Sequence, residues 1–154
     1  MRFSEIISPA QIILDLKTTD RWAAIEELVN QLVAQKHIQE SRREAVIQAV
    51  KNREKTMSTG IGFGIAIPHT FTDAIEKVTA ILACSSKGIN FDALDNQPVK
   101  LVLLFLVPTG QYQQHLKTLA SISRFLNDRQ FREKAEQVKT ADELYELILK
   151  RETL

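Results

Sequence analysis

One stretch constrains this chain more than any other: Leu101 to Val107, an unbroken apolar run reading LVLLFLV. It is far shorter than the roughly 20 residues a membrane helix needs. It also lacks the polar alternation of a strand with one wet face. An apolar run of this length is a strand buried on both sides, which places it inside a sheet with cover above and below. The flanking sequence supplies that cover. From Asp20 a helix is expected, with Trp22, Ile25, Leu28, Val29, Leu32 and Val33 on one stripe. Ser41 and Glu44 have the spacing of a capping box and open a second helix through Val46 and Val50, ending near Arg53. After Pro108-Thr109-Gly110, Tyr112, Leu116, Leu119, Ile122 and Leu126 recur at helical intervals. Asn127-Asp128 can cap a short helix through Val138, and Thr140 with Glu143 opens a last one through Leu144, Leu147 and Ile148.

A second strand is expected over Val78–Cys84. It is joined to Lys100–Val107 by turn residues, Gly88 and Asp95-Asn96-Gln97-Pro98, with no helical crossover. The expected fold is therefore α/β: a single domain over 1–154 with a mixed central sheet, parallel and antiparallel, flanked by helices on both faces. Charge and cysteine usage narrow the function. The net charge is +1 with both signs interspersed, so no basic stripe argues for nucleic acid. One cysteine, Cys84, rules out an internal disulfide framework; inside an apolar strand it reads as a small core residue. The N-terminal MRFSEIISPAQ has no signal-peptide core and no run suits a bilayer, so the expectation is a cytoplasmic protein without membrane insertion.

The segment that stands apart is 58–70, STGIGFGIAIPHT. Gly60, Gly62 and Gly64 let backbone approach something closely, yet neither nucleotide fingerprint is present. The spacing is not G-x-G-x-x-G, and no Gly-Lys-Ser/Thr follows. What remains is a short buried strand, Ile65 to Ile67, that stops at Pro68 and delivers His69 to a loop mouth. His69 is then either an ordinary exposed histidine or a nucleophile. His37, in Gln35-Lys36-His37-Ile38, reads as a surface residue near a helix end. Spacing makes His115 a helix residue beside Leu116, and Arg53 a cation complementing the dipole at a helix C-terminus. His69 and His115 lack a third ligand at convincing spacing, so no metal is expected.

GIGFGIAIPH at 60–69 resembles the phosphohistidine motif of the enzyme IIA component of the bacterial phosphotransferase system, fructose–mannitol class. Asn52-Arg53-Glu54 resembles that family's Arg-Glu pair, His115-Leu116 its second histidine, and TADELYELI its C-terminal end. The resemblance implies that His69 is the phosphorylated nucleophile, that His115 lies beside it as a hydrogen-bond donor, and that Arg53 stabilises charge. Backbone N–H groups of the glycine segment, Gly62 and Gly64, would bind phosphate, and no cofactor is needed. The implied donor is phosphorylated HPr or a paralogue; the acceptor is an enzyme IIB domain in sugar uptake. The alternative is a regulatory module of the nitrogen-related branch whose phosphorylation state controls binding to target proteins. A small-molecule sensor with an inert His69 is the third reading. Phe63 stands where the mannitol branch often has an acid, which favours the fructose-like or nitrogen-related branch.

Overall fold

The computed structural model describes residues 1–152. Its organising element is the strand built on the apolar run. Numbering in chain order, the strands are β1 (Ile12–Ile13), β2 (Gly60–Gly62), β3 (Ile65–Ala66), β4 (His69–Thr72), β5 (Thr79–Ile89) and β6 (Val99–Pro108). The helices are α1 (Arg21–Ala34), α2 (Arg43–Thr56), α3 (Tyr112–Leu126), α4 (Arg129–Ala135) and α5 (Ala141–Glu152). β6 divides its side chains between two cores, as a period of two requires. Val102, Leu104 and Leu106 pack with Ile25, Leu28, Leu32, Val46 and Val50 of α1 and α2. Leu101, Leu103, Phe105 and Val107 pack with Ile122, Leu126, Phe131, Leu144 and Ile148 of the C-terminal helices. Helices therefore cover both faces of one sheet, and the double burial read from the sequence is observed.

Five strands run in the order β1-β5-β6-β3-β2, with β4 also paired to β6. β5 and β6 are antiparallel, from Thr79 opposite Leu106 to Cys84 opposite Leu101. β1 on β5 and both β3 and β4 on β6 are parallel, so the directions are mixed. β3 and β4 lie in succession along the same edge of β6: Ala66 faces Val102, Pro68 accepts from the Phe105 N–H, and His69 faces Phe105.

Several local expectations change. Asp20 caps α1, accepting from the Trp22 and Ala23 N–H groups, and Thr140 accepts from Glu143 N–H at the start of α5. The Ser41–Glu44 box does not form. A 3₁₀ turn over Glu40–Arg42 carries Ser41 out of the extended capping conformation, and Glu44 accepts from Gln48 instead. Asp128 precedes α4 without a side-chain cap and pairs with Arg151. The short helix ends at Ala135 rather than Val138. On α3 only Ile122 and Leu126 of the apolar stripe are buried; Tyr112 and Leu116 face outward.

Candidate functional site

The strand ending at Pro68 does not give way to a loop. Pro68 has no N–H to donate, which interrupts the edge, and His69 then opens β4 against the same neighbour, β6. A sequence of four polar or aromatic residues, His-Thr-Phe-Thr, has no apolar run to announce a strand; the ladder offered by β6 forms it. His69 thus sits at a break in a sheet edge, half-buried rather than at an open loop mouth. Its Nδ1–H donates to the Ile67 carbonyl at 2.8 Å. Burial pushes its pKa below the usual histidine value. The Ile67 hydrogen bond acts upward, the Arg53 guanidinium downward and the Glu54 carboxylate upward. The ring is therefore neutral at pH 7, and with the Nδ1 proton held by a carbonyl, the Nε2 lone pair is the available nucleophile. No described residue hydrogen-bonds that nitrogen.

α2 brings the charged pair to this strand. Arg53 lies in its last turn and donates to the Met57 carbonyl at 2.9 Å, so it also serves the helix end as spacing predicts. Glu54 is the residue that sequence reasoning passed over. It is 1% exposed. One oxygen accepts from the Thr59 backbone N–H at 3.0 Å and pairs with Arg21 at 3.3 Å, and the Thr59 hydroxyl donates to the other at 2.5 Å. A buried carboxylate needs such partners to be tolerated. Its signal was available: Val46, Val50 and Glu54 are four residues apart, so Glu54 continues the buried stripe of α2.

His115 is in the first turns of α3, its Nε2 3.3 Å from the Gln111 amide oxygen, while Nδ1 is buried without a partner. Burial lowers its pKa, and the N-terminal ammonium of Met1 adds to the shift. No hydrogen bond joins His69 to His115 among the described residues. Their connection runs through Phe71, which shares a strand face with His69. Its ring meets Tyr112 edge-on, with centroids 5.0 Å apart, and Tyr112 precedes His115 by three residues on the same side of α3. Met57, Phe71, Tyr112 and Leu116 are all exposed, an apolar rim contributed by the elements that bear Arg53, His69 and His115.

The glycines are not brought to His69. Gly62 and Gly64 have φ of 96° and 79° and turn the β2–β3 hairpin. Gly64 accepts from the Lys100 and Leu101 N–H groups. His69 lies opposite Phe105, four positions further along β6, or about 13 Å at strand rise. His37 is exposed just past α1, and no group of His, Cys, Asp or Glu among the described residues is arranged to hold a metal ion. No helix among them is long and apolar enough to cross a membrane.

Residues 5–151 match the family model described as "Phosphoenolpyruvate-dependent sugar phosphotransferase system, EIIA 2". The chain belongs to this family. It is 40% identical over 129 residues to the fructose-specific EIIA component of Haloferax volcanii, covering 83% of this chain and 82% of that protein. The fold matches the nitrogen regulatory protein IIA-Ntr of Neisseria meningitidis with a TM-score of 0.84, at 28% identity over 94% of this chain and 97% of that one. It also matches a complex of IIA mannitol with phosphorylated IIB mannitol from Escherichia coli. There the TM-score is 0.76 and the identity 23%, over 93% of this chain and 96% of that one; this likeness speaks for the fold. The chain is thus a phosphotransferase-system IIA component, similar in sequence to fructose-specific and nitrogen-regulatory proteins.

Proposed function

We propose that this IIA protein is a cytoplasmic phosphocarrier that takes a phosphoryl group onto Nε2 of His69 from a phosphorylated HPr-type protein and passes it to an enzyme IIB partner in sugar uptake. The observation that carries the reading is the His69 ring itself. It is neutral, its Nδ1–H is fixed on the Ile67 carbonyl, and no described residue occupies Nε2. Attack by the Nε2 lone pair forms the P–N bond as the bond to the donor breaks. The positive charge that develops on the ring is shared with the Ile67 carbonyl through Nδ1–H. The transferring group has a loose transition state, so the protein's task is alignment and charge stabilisation. Arg53, which already acts electrostatically on His69, supplies the cation. The exposed apolar rim supplies the surface against which a donor or acceptor protein docks. His115 acts as a donor to the phosphoryl oxygens through its Nε2–H, which in the unphosphorylated protein rests on the Gln111 side-chain oxygen at 3.3 Å.

Incubation with phosphorylated HPr proteins, followed by intact mass, tests the reading. One phosphoryl group should be gained, labile in acid and stable in alkali, and absent from His69→Ala. A label retained by that variant overturns the assignment. The likeness to IIA-Ntr supports a second reading, in which phosphorylation of the same histidine governs binding to a regulatory target. A phosphorylated protein that surrenders its label to IIB domains supports transport. One that keeps it while gaining or losing affinity for another protein supports regulation.

A further inference from the structure

The sheet end away from His69 carries a cavity of about 310 Å³, within the range of small-ligand sites. It lies where the β2–β3 turn, the Cys84–Ser86 stretch of β5 and the segment from Arg132 to Val138 meet. Its apolar walls include Leu14, Leu101 and Val138, and its polar groups are mainly Lys100, Arg132, Ser85 and Ser86. Glu136 is the one carboxylate on its lining, against two cations. Neither cation has an ion-pair partner among the described residues. The Arg132 guanidinium donates only to the Phe63 carbonyl at 3.2 Å, and its Nε is buried with no partner at all. Cys84 adds no opposing charge, since burial pushes its thiol up to about 11.

Phe63 makes the site look built rather than incidental. It holds a φ of 58°, a conformation that non-glycine residues rarely adopt, and its N–H is tied to the Asp95 carboxylate at 3.0 Å. An aromatic ring 62% exposed gains little from that strain in the fold itself. The ring lies 5.2 Å beneath the Arg132 guanidinium, which fixes the guanidinium over the cavity mouth.

We propose that this cavity binds a small organic anion: an apolar body seated on Leu14, Leu101 and Val138, and a carboxylate or phosphate monoester held by Arg132 and Lys100. A guanidinium with an unused N–H is a directional donor for such a head group, and the exposed ammonium adds charge without fixed geometry. This goes beyond the phosphocarrier reading and does not depend on it, because the cavity and His69 lie at different ends of β6.

The test is amide NMR titration of the whole protein with phenyl phosphate, benzoate, benzyl alcohol and inorganic phosphate. At least one organic anion should bind and shift Phe63, Gly64, Ser85 and Ser86; which one binds tells phosphate monoester from carboxylate. Benzyl alcohol and inorganic phosphate should each bind at least about tenfold more weakly, lacking the head or the body. Lys100→Gln, at an exposed position, and Arg132→Gln should each weaken the anion about tenfold, while His69→Ala binds as wild type. The proposal is overturned by an absence of shifts up to about 10 mM of both anions. Unchanged affinity in folded Lys100→Gln, or shifts centred on Arg53 and His69, overturns it equally.

Discussion

At the scale of single residues, the site is a neutral imidazole balanced between two opposite charges. Burial and Arg53 hold the His69 pKa down, while the Ile67 carbonyl and Glu54 pull it up. The signs of two substitutions follow: Arg53→Ala should raise the His69 pKa and Glu54→Gln should lower it further, both readable from the ring resonances in an NMR titration. Movement of both in one direction would refute the charge balance. Phosphoryl acceptance should stay flat as pH falls through the ordinary histidine pKa and drop only at lower pH, where Nε2 gains a proton. The stability consequence has the same sense. With both imidazoles depressed, the unfolded chain binds more protons than the native one just below the ordinary histidine pKa. Stability contributed by His69 and His115 is therefore fully present above that value and is lost as pH falls through their native pKa values. Glu54 carries a second role. Removing its carboxylate strands both Thr59 donors and leaves Arg21 with only the Phe91 carbonyl and Asp92, so Glu54→Ala should cost about 3 kcal/mol by chemical denaturation. A loss below about 1 kcal/mol would show that the Thr59 donors find other partners.

At the scale of elements, backbone conformation decides as much as side-chain pattern. Gly88 has a φ of 86°, and a Cβ there would come 2.7 Å from Pro98 Cβ, so Gly88→Ala should destabilise by about 2–4 kcal/mol. Since this end of β5 is remote from His69, thermal melting should register the change while phosphoryl acceptance per folded molecule stays the same. The strands that were legible in the sequence were those whose own side chains demand burial, β5 and β6. β1 and β4 are two and four residues long and exist because a neighbouring strand offers a ladder, which no local pattern reports. Capping followed the same division. The Thr140 hydroxyl and the Asp20 carboxylate reach their N–H partners, but Ser41 is overruled by a 3₁₀ turn that spacing cannot reveal. Positive φ at Gly62 and Gly64 reflects a backbone need that the sequence did announce, and the need is the turn of the β2–β3 hairpin, away from His69. The Pro68-His69 junction was legible because proline breaks an edge whatever the strand does next.

At the scale of the molecule, the proposed phosphocarrier function requires that another protein reach His69, and in that proposal the exposed apolar groups Phe71, Tyr112 and Leu116 form the contact. A stripe of Tyr112, Leu116, Leu119, Ile122 and Leu126 suggests a helix buried along its length, yet α3 turns Tyr112 and Leu116 outward, with the Tyr112 ring against Phe71. Leu116 is 48% exposed, so Leu116→Asp removes little core burial and should leave folding stability within about 0.5 kcal/mol. Its effect should fall on docking. A charge placed on an apolar contact resists desolvation, and acceptance of phosphate from a phosphorylated HPr protein should slow by at least about tenfold, through binding rather than chemistry. A small phosphoryl donor separates the two, because phosphoramidate needs the His69 nitrogen but no protein surface. Labelling of Leu116→Asp by phosphoramidate should match wild type, whereas His69→Ala should fail with either donor. Equal loss with both donors would place Leu116 in the support of the imidazole. Equal rates with both would move the docking surface away from the N-terminal end of α3.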